Sequence, residues 1–480
     1  GILLTHRDLV SPLHISRRLL PPEFRFNHWN NAAVKGALPL DGDTQLIYGH
    51  VGIWKADNNL STFQDYSAGL PQGSDRRIVE RIFKTTHGDV LAGTRYGMYR
   101  LQAGRWTPVP LPTHDSHVVD FAQRADRIYV LTRSHVLSAP EDDLSALQPH
   151  PLKPPSSWDG KIPLLRVVWK LHSGELYGLP GRLLVDLLGV AMMVLAISGC
   201  WLFFGPKHMR RRKRSGRPVS TLAASTRGHR RWHRRTGIVI VCLLLVSTVT
   251  GMLLRPPFLL TIVRSRAKPF PGSALRHAGP WHDRLRRILY EPDGDHFVLA
   301  TADGIYSFDA AFNNPPQFMR RQPPVSVMGV TVFERIGSGR YLVGSFSGLY
   351  FWLPEKSILM DWITKGPPPD RKPRLPFGAD MISGYLLDND SRAYIFDYRR
   401  GARPLGHTAT FSEMPEGAKN TPMPLWRLAL ETHTGRIYQS ILGRGQLLWV
   451  AVSGLLTVFI LLSGLLWWLQ TRPKKRRPVQ

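Results

Sequence analysis

The chain has 480 residues and carries 63 Lys+Arg against 35 Asp+Glu, a formal net charge of +28. An excess of that size points to nucleic acid, an anionic membrane surface or membrane topology, while 43% hydrophobic residues with 14 tryptophans exclude a disordered chain. The only two cysteines, Cys200 and Cys242, exclude a disulfide scaffold, a zinc ribbon and a Cys-x-x-Cys-His haem attachment.

In chain order, residues 1–6 (GILLTH) read like Gly251-Met252-Leu253-Leu254 and predict the end of a truncated first transmembrane helix. Residues 7–165 are polar and form a first β region. Residues 166–204 hold the motif WKLHSGELYG and an apolar run, Leu183 to Phe204, whose one charge is Asp186. Residues 205–235 carry twelve Lys/Arg and no acid, and predict a basic cytoplasmic loop. Residues 236–256 contain a second, uncharged run, Thr236 to Leu254, and 257–425 form a second polar β region. Residues 426–469 repeat the motif as LETHTGRIYQ and end in a third run, Leu447 to Leu469, and 470–480 add five basic residues. About 20 apolar residues cross a hydrocarbon core roughly 30 Å thick, so each run is long enough to span. The basic residues flank membrane ends, as cytoplasmic loops do. Topology therefore accounts for the charge without nucleic acid and puts both polar regions outside, in the periplasm of a bacterium.

The two halves share one plan. His172 precedes Gly199 by 27 residues, and His433 precedes Gly464 by 31, one helical turn more. A complete protein would then have four spans, as in bundles that place cofactor ligands on facing helices. A second repeat lies in the polar regions: LIYGHVGIWK, VLAGTRYGMYRL, IYVLTRSHVLSA, VLATADGIYSFD, YLVGSFSGLYFW and, more weakly, DSRAYIFD. With Gly52, Gly97, His135, Gly304, Gly348 and Arg392 as equivalents, the spacings within the two regions are 45, 38, 44 and 44, in the range of propeller blades. Three blades cannot close a ring, so the two regions are predicted to combine into one six-bladed β-propeller beside an α-helical membrane bundle; two separate small β-sandwich-like domains are the alternative. The Pro-rich stretches at 150–155 and 366–376 read as connectors.

The motifs LHSGELYGLPGRLL, RRWHRRTGIVIVCLLL with TGMLL, and ETHTGRIYQ resemble the PepSY-associated transmembrane family. The resemblance covers the membrane portion, about a quarter of the chain, and leaves out the polar regions, where blade-like repeats stand in place of the family's small α+β modules. It implies a bacterial inner-membrane protein linked to iron uptake, similar to ferric or siderophore reductases that carry b-type haem.

Histidine beside a membrane core is costly unless functional, and neutral imidazole is a good axial ligand for haem iron. His172 and His433 occupy equivalent places, so symmetric packing would let one outer haem take both. An inner haem would take His233, or as a weaker candidate His229, with its partner on a preceding helix. His6 is a lesser candidate at the outer side, matched in the second half by Arg255. His208 reads as a solvated loop residue, and Asp186 as the i,i+4 ion-pair partner of Arg182. Ser198-Gly199, Thr250-Gly251 and Ser463-Gly464 read as sites of close helix approach, and Trp201, Trp449, Trp467 and Trp468 as interfacial anchors. There is no Gly-x-Gly-x-x-Gly, Walker or His-Glu-x-x-His motif. Electrons would therefore come from quinol or another protein and pass through one or two b-type haems to a periplasmic iron complex or protein. The alternative is a non-enzymatic membrane-anchored sensor or assembly protein whose propeller binds a peptide or protein.

Overall fold

The computed structural model describes residues 1–471 except 264, 277, 327–328 and 370–377. The basic tail beyond Thr471 lies outside the described residues, as does most of the Pro-rich connector at 366–376. The chain divides into two compact units: Gly1–Arg7, Gly160–His277 and Leu428–Gln480 make one, and Asp8–Asp159 with Ala278–Arg427 make the other.

The second unit is built of antiparallel sheets. Six of them follow the chain at residues 36–65, 79–109, 118–150, 285–318, 330–361 and 382–405, five with four strands and the last with three, each a meander of neighbouring strands. The third strands of the first, second and fifth sheets open on glycines with positive φ, Gly52 at 92°, Gly97 at 140° and Gly348 at 131°, a conformation that L side chains resist. In the sixth sheet that place belongs to Gly401, at φ 83°, and not to Arg392, which precedes the second strand Ala393–Asp397. The sequence repeat misplaced this sheet because the insertion after Trp362 stretches the spacing.

Apolar residues from each sheet pack against the next. Leu46 and Tyr48 meet Ile82 and Ala92, Leu91 meets Phe121 and Val130, and Tyr129 meets Phe297 across the third and fourth sheets. Val298 then meets Phe333 and Val343, and Leu342 meets Ile382 and Ile395. Ile47 and Trp54 of the first sheet share a core with Tyr394 and Phe396 of the sixth. The two polar regions thus form one folded unit with shared cores, and the alternative of two separate sandwich-like domains is set aside.

Five of the six first strands carry a bulge at their second residue, just before Arg81, Asp120, Arg287, Val332 and Gly384. A bulge re-aims the residue beside it, and here it brings charges from different sheets together. Arg287 of the fourth sheet donates to the carbonyls of Val119 at 3.0 Å, Thr331 at 3.2 Å and Glu80 at 3.3 Å, which lie on the third, fifth and second sheets. Arg81 of the second sheet forms a two-pronged pair with Glu334 of the fifth, one prong at 3.0 Å. Asp120 lies 3.4 Å from Arg81 and 3.7 Å from Arg287. Burial pushes the Asp120 carboxyl up, against the pull of Arg287 and Arg81.

The first unit holds three helical stretches long and apolar enough to cross a membrane: Glu175–Arg214, Ser220–Leu253 and Arg436–Gln470. The chain is therefore a membrane protein by length and composition of its helices. The basic segment 205–235, expected as a loop, is almost all helix. The first long helix, Gly178–Arg214, runs through RRRKR, and the second, Ser220–Leu253, begins well before the His-Arg-Arg-Trp-His cluster. Arg and Lys are good helix formers, and four of them in the last turn of the first helix favour its negative dipole end. His208 is accordingly an exposed helical residue.

Candidate functional site

Two short helices of nine residues, Leu164–His172 and Leu425–His433, each end on the histidine of the repeated motif. Directly after each, a glycine in the left-handed region, Gly174 at φ 77° and Gly435 at φ 75°, turns the chain back. A Cβ on Gly174 would strike the Gly181 carbonyl, and one on Gly435 the Trp449 ring, so both turns also need the close approach that only glycine allows.

These turns bring His172 and His433 together, with ring centroids 6.0 Å apart and planes inclined by 31°. His172 Nδ1 lies 3.0 Å from the carbonyl oxygen of Ser247 on the second long helix. A carbonyl only accepts, so Nδ1 carries the proton and Nε2 is left with its lone pair. Gly251 gives this ring its room: a Cβ there would lie 2.9 Å from His172 Cε1. His172 is half-buried and His433 is open on one side. The atoms around the rest of each ring still desolvate them and lower both pKa values, that of His433 to about 4. Both imidazoles are neutral at pH 7.

His233, on the second long helix, follows the same pattern. Its Nδ1 lies 2.8 Å from the Ser198 hydroxyl, whose own proton goes to the Leu195 carbonyl at 3.1 Å. With the hydroxyl proton on that carbonyl, Ser198 can accept from Nδ1, which would leave His233 presenting Nε2. Gly199 faces this ring, with His233 Cε1 3.6 Å from a Cβ built there. His229, one turn away, donates to the Ser225 carbonyl at 2.9 Å and stacks on Trp201 at 5.3 Å. Two of the three small-residue pairs thus serve histidines. Gly464 has nothing within 4 Å, and the close approach of the second and third long helices comes at Gly454, against Met252.

Two outer-side expectations change. Asp186 is not paired with Arg182: its carboxylate accepts from Thr5 at 2.9 Å and pairs with His6 Nε2 at 2.6 Å. An acid in an apolar run needs a hydrogen-bonded partner, and a segment distant in sequence supplies it. His6 is thereby engaged with Asp186 and stands apart from the His172–His433 pair. Among the described residues no three His, Cys, Asp or Glu side chains converge to hold a bare metal ion.

The apolar helices define an integral membrane protein, and two short helices bring two imidazoles together, one of them oriented by a backbone carbonyl. The chain belongs to the PepSY-associated TM region family, whose model matches residues 206–471, from the end of the first long helix through the third. No curated protein matches the chain. Among solved structures it is similar to the extracellular domain of a putative hybrid two component system from B. thetaiotaomicron, at 8% identity and TM-score 0.38 over 78% of this chain and 33% of that one. It is also similar to the WD40 beta propeller domain of Doa1, at 9% identity and TM-score 0.33 over 80% of this chain and 95% of that one. The chain spans about a third of the length of the first of these, and likenesses this low assign neither fold nor role.

Proposed function

We propose that the chain is a haem-b protein of the bacterial inner membrane that passes electrons outward to a periplasmic acceptor, with ferric iron or a ferric siderophore as the acceptor class. The observation that carries the reading is the His172–His433 separation of 6.0 Å. At this separation His172 and His433 could together hold one haem, since neutral imidazole is a good ligand for its iron. Haem would need only two ligands from the protein, and two histidine rings meet here. When bound, haem supplies one-electron transfer at an iron tuned by its axial ligands and burial.

The chain's own residues prepare the site. Ser247 holds His172 in the tautomer that presents Nε2, as partners of ligating histidines do, and Gly251 leaves space for the ring. Ser198 and Gly199 treat His233 in the same way, which supports a second haem on the inner side. Fourteen residues of one helix separate Ser247 from His233, about 21 Å at 1.5 Å per residue. The two sites would then lie in opposite halves of a core roughly 30 Å thick. The twelve basic residues of 205–235 support a cytoplasmic hairpin end and periplasmic β regions. With no nucleotide-binding fingerprint, the donor is quinol or another protein. We also infer that the six sheets close as a six-bladed propeller. Cores shared by every successive pair, the sixth with the first included, support this, as does the reach of Arg287 to three other sheets.

A dithionite-reduced minus oxidised visible spectrum of the detergent-purified protein tests the reading. A sharp b-type α band is expected. Its absence from folded protein expressed with ample haem would leave the membrane-anchored sensor or assembly role in its place. A finer check is Gly251→Ala, whose new methyl must displace the His172 ring; haem content is expected to fall about tenfold, the scale of a lost orienting contact. Gly237→Ala, where a Cβ meets only Leu195 at 3.9 Å, should leave it unchanged.

A further inference from the structure

The two histidine turns share a feature that the chemistry above does not use. In the first, Lys170 Nζ lies 2.6 Å from Glu175 Oε2. In the second, Arg436 grips Glu431 with two nitrogens, at 2.7 and 2.9 Å. Each pair joins the residue two before the histidine to the residue three after it, across the left-handed glycine. The positions match one for one between the two copies, yet the signs are reversed: cation then acid in the first copy, acid then cation in the second.

Paired reversal within one chain is informative. If either charge served a ligand of fixed sign, its sign would be kept. If neither mattered, nothing would have changed both together. What the copies preserve is attraction between the two positions. On a helix, a residue two before another lies on nearly the opposite side, so the ion pair grips the back of the terminal turn while the imidazole faces the other way. It ties the short helix to the single helical turn after the glycine, Glu175–Tyr177 in one copy and Arg436–Tyr438 in the other. That fixes the rotation of the helix about its axis and hence the aim of the ring. The copies differ in depth. The difference lies in the acid alone: Glu431 is 1% exposed and its partner Arg436 39%, whereas Lys170 and Glu175 are 28% and 37% exposed, so loss of the second pair costs more because it disturbs a carboxylate that water cannot reach.

We propose that Lys170–Glu175 and Glu431–Arg436 are positioning pairs that aim His172 and His433 at their shared site. The proposal rests on the haem reading for what is aimed at, and on the geometry alone for the aiming. In purified full-length chain, Glu431→Gln should lower the low-spin bis-histidine electron paramagnetic resonance signal about tenfold, the scale found when partners of metal ligands are removed. Arg255 also faces the buried Glu431 carboxylate, so the double variant E431K/R436E, which writes the first copy's polarity into the second, is made together with Arg255→Gln and should restore the signal to the level of R255Q alone. K170E/E175R, the reciprocal exchange, should keep it, while K170E alone should lower it less than Glu431→Gln does. A full signal in Glu431→Gln, or no rescue in a combined variant that still elutes as a single species, overturns the clamp while the wild-type signal upholds the haem reading. If the wild type holds no haem, that reading falls and the clamp is judged on ¹⁵N-histidine spectra of the same proteins. One sharp imidazole signal for His433, broadened or split in Glu431→Gln and restored in E431K/R436E made with Arg255→Gln, upholds it. A signal that does not respond to Glu431→Gln overturns it.

Discussion

Replacing either His172 or His433 with alanine is expected to abolish the same b-type signal, and His233→Ala to spare it. The His172 and His433 rings are 6.0 Å apart, too close to serve separate haems, and both would hold the same one. Loss of either leaves a single protein ligand and ends the low-spin bis-histidine state. His233 is held by Ser198 at 2.8 Å, on a different level of the second long helix, so its loss should touch only a component of the spectrum that the outer variants leave in place. The informative comparison is the double variant H172A/H433A. If it removes no more than either single variant, the two residues act on one haem, as groups that act as a unit are non-additive. Independent, additive losses would show that each histidine serves its own centre and would defeat the shared-site reading.

Much of the membrane unit was legible before any coordinates, because bilayer thickness imposes a length and a lack of charge that few other contexts require. The histidine pair was legible for a different reason: an internal duplication marks equivalent positions, and equivalent positions on symmetric elements meet. Position without orientation was as far as this went. That Ser247 would take the Nδ1 proton of His172, or that Gly251 would face its ring, depends on the rotation of one helix against another, which no spacing encodes. The partner of Asp186 was misread for the same reason. Local i,i+4 spacing offered Arg182, whereas the fold offers Thr5 and His6, some 180 positions away. In the β unit the repeats were legible where the spacing stays at about 40–45 residues, at His135 as well as at the glycines. They slipped at the sixth sheet, where a long Pro-rich insertion separates Gly348 from Gly401. The charges at the centre were invisible. Arg81, Asp120, Arg287 and Glu334 lie on strands far apart in the sequence with no local pattern linking them, and only the return of the chain sets them against one another.

Those central charges give the largest expected effect on stability. Arg287→Ala should destabilise the β unit by about 3–5 kcal/mol, the cost of breaking a buried ion pair by removing one partner. Two consequences add up. The side chain is 8% exposed and Asp120 2%, so the carboxylate loses a nearby cation where water cannot replace it. The carbonyls of Glu80, Val119 and Thr331 also lose donors in one step, and orphaned buried acceptors are costly. For a unit of this size the loss corresponds to a fall in melting temperature of the order of 10 °C, readable from tryptophan fluorescence of the purified protein. Removing the acid as well provides the decisive comparison. Lys35 pairs with Glu80, so that Lys35, Arg81 and Arg287 balance Glu80, Asp120 and Glu334 in the intact network. R287A alone leaves an excess of negative charge, and R287A/D120A removes that excess at the expense of the Asp120 bond to the Ile288 amide at 2.9 Å. The double variant should therefore lose less than the sum of the two single ones. A strictly additive result, or an R287A protein as stable as the wild type, would mean that Arg287 is not held among the strands of four sheets in solution, and the inferred closure of those sheets into a ring would lose its central support.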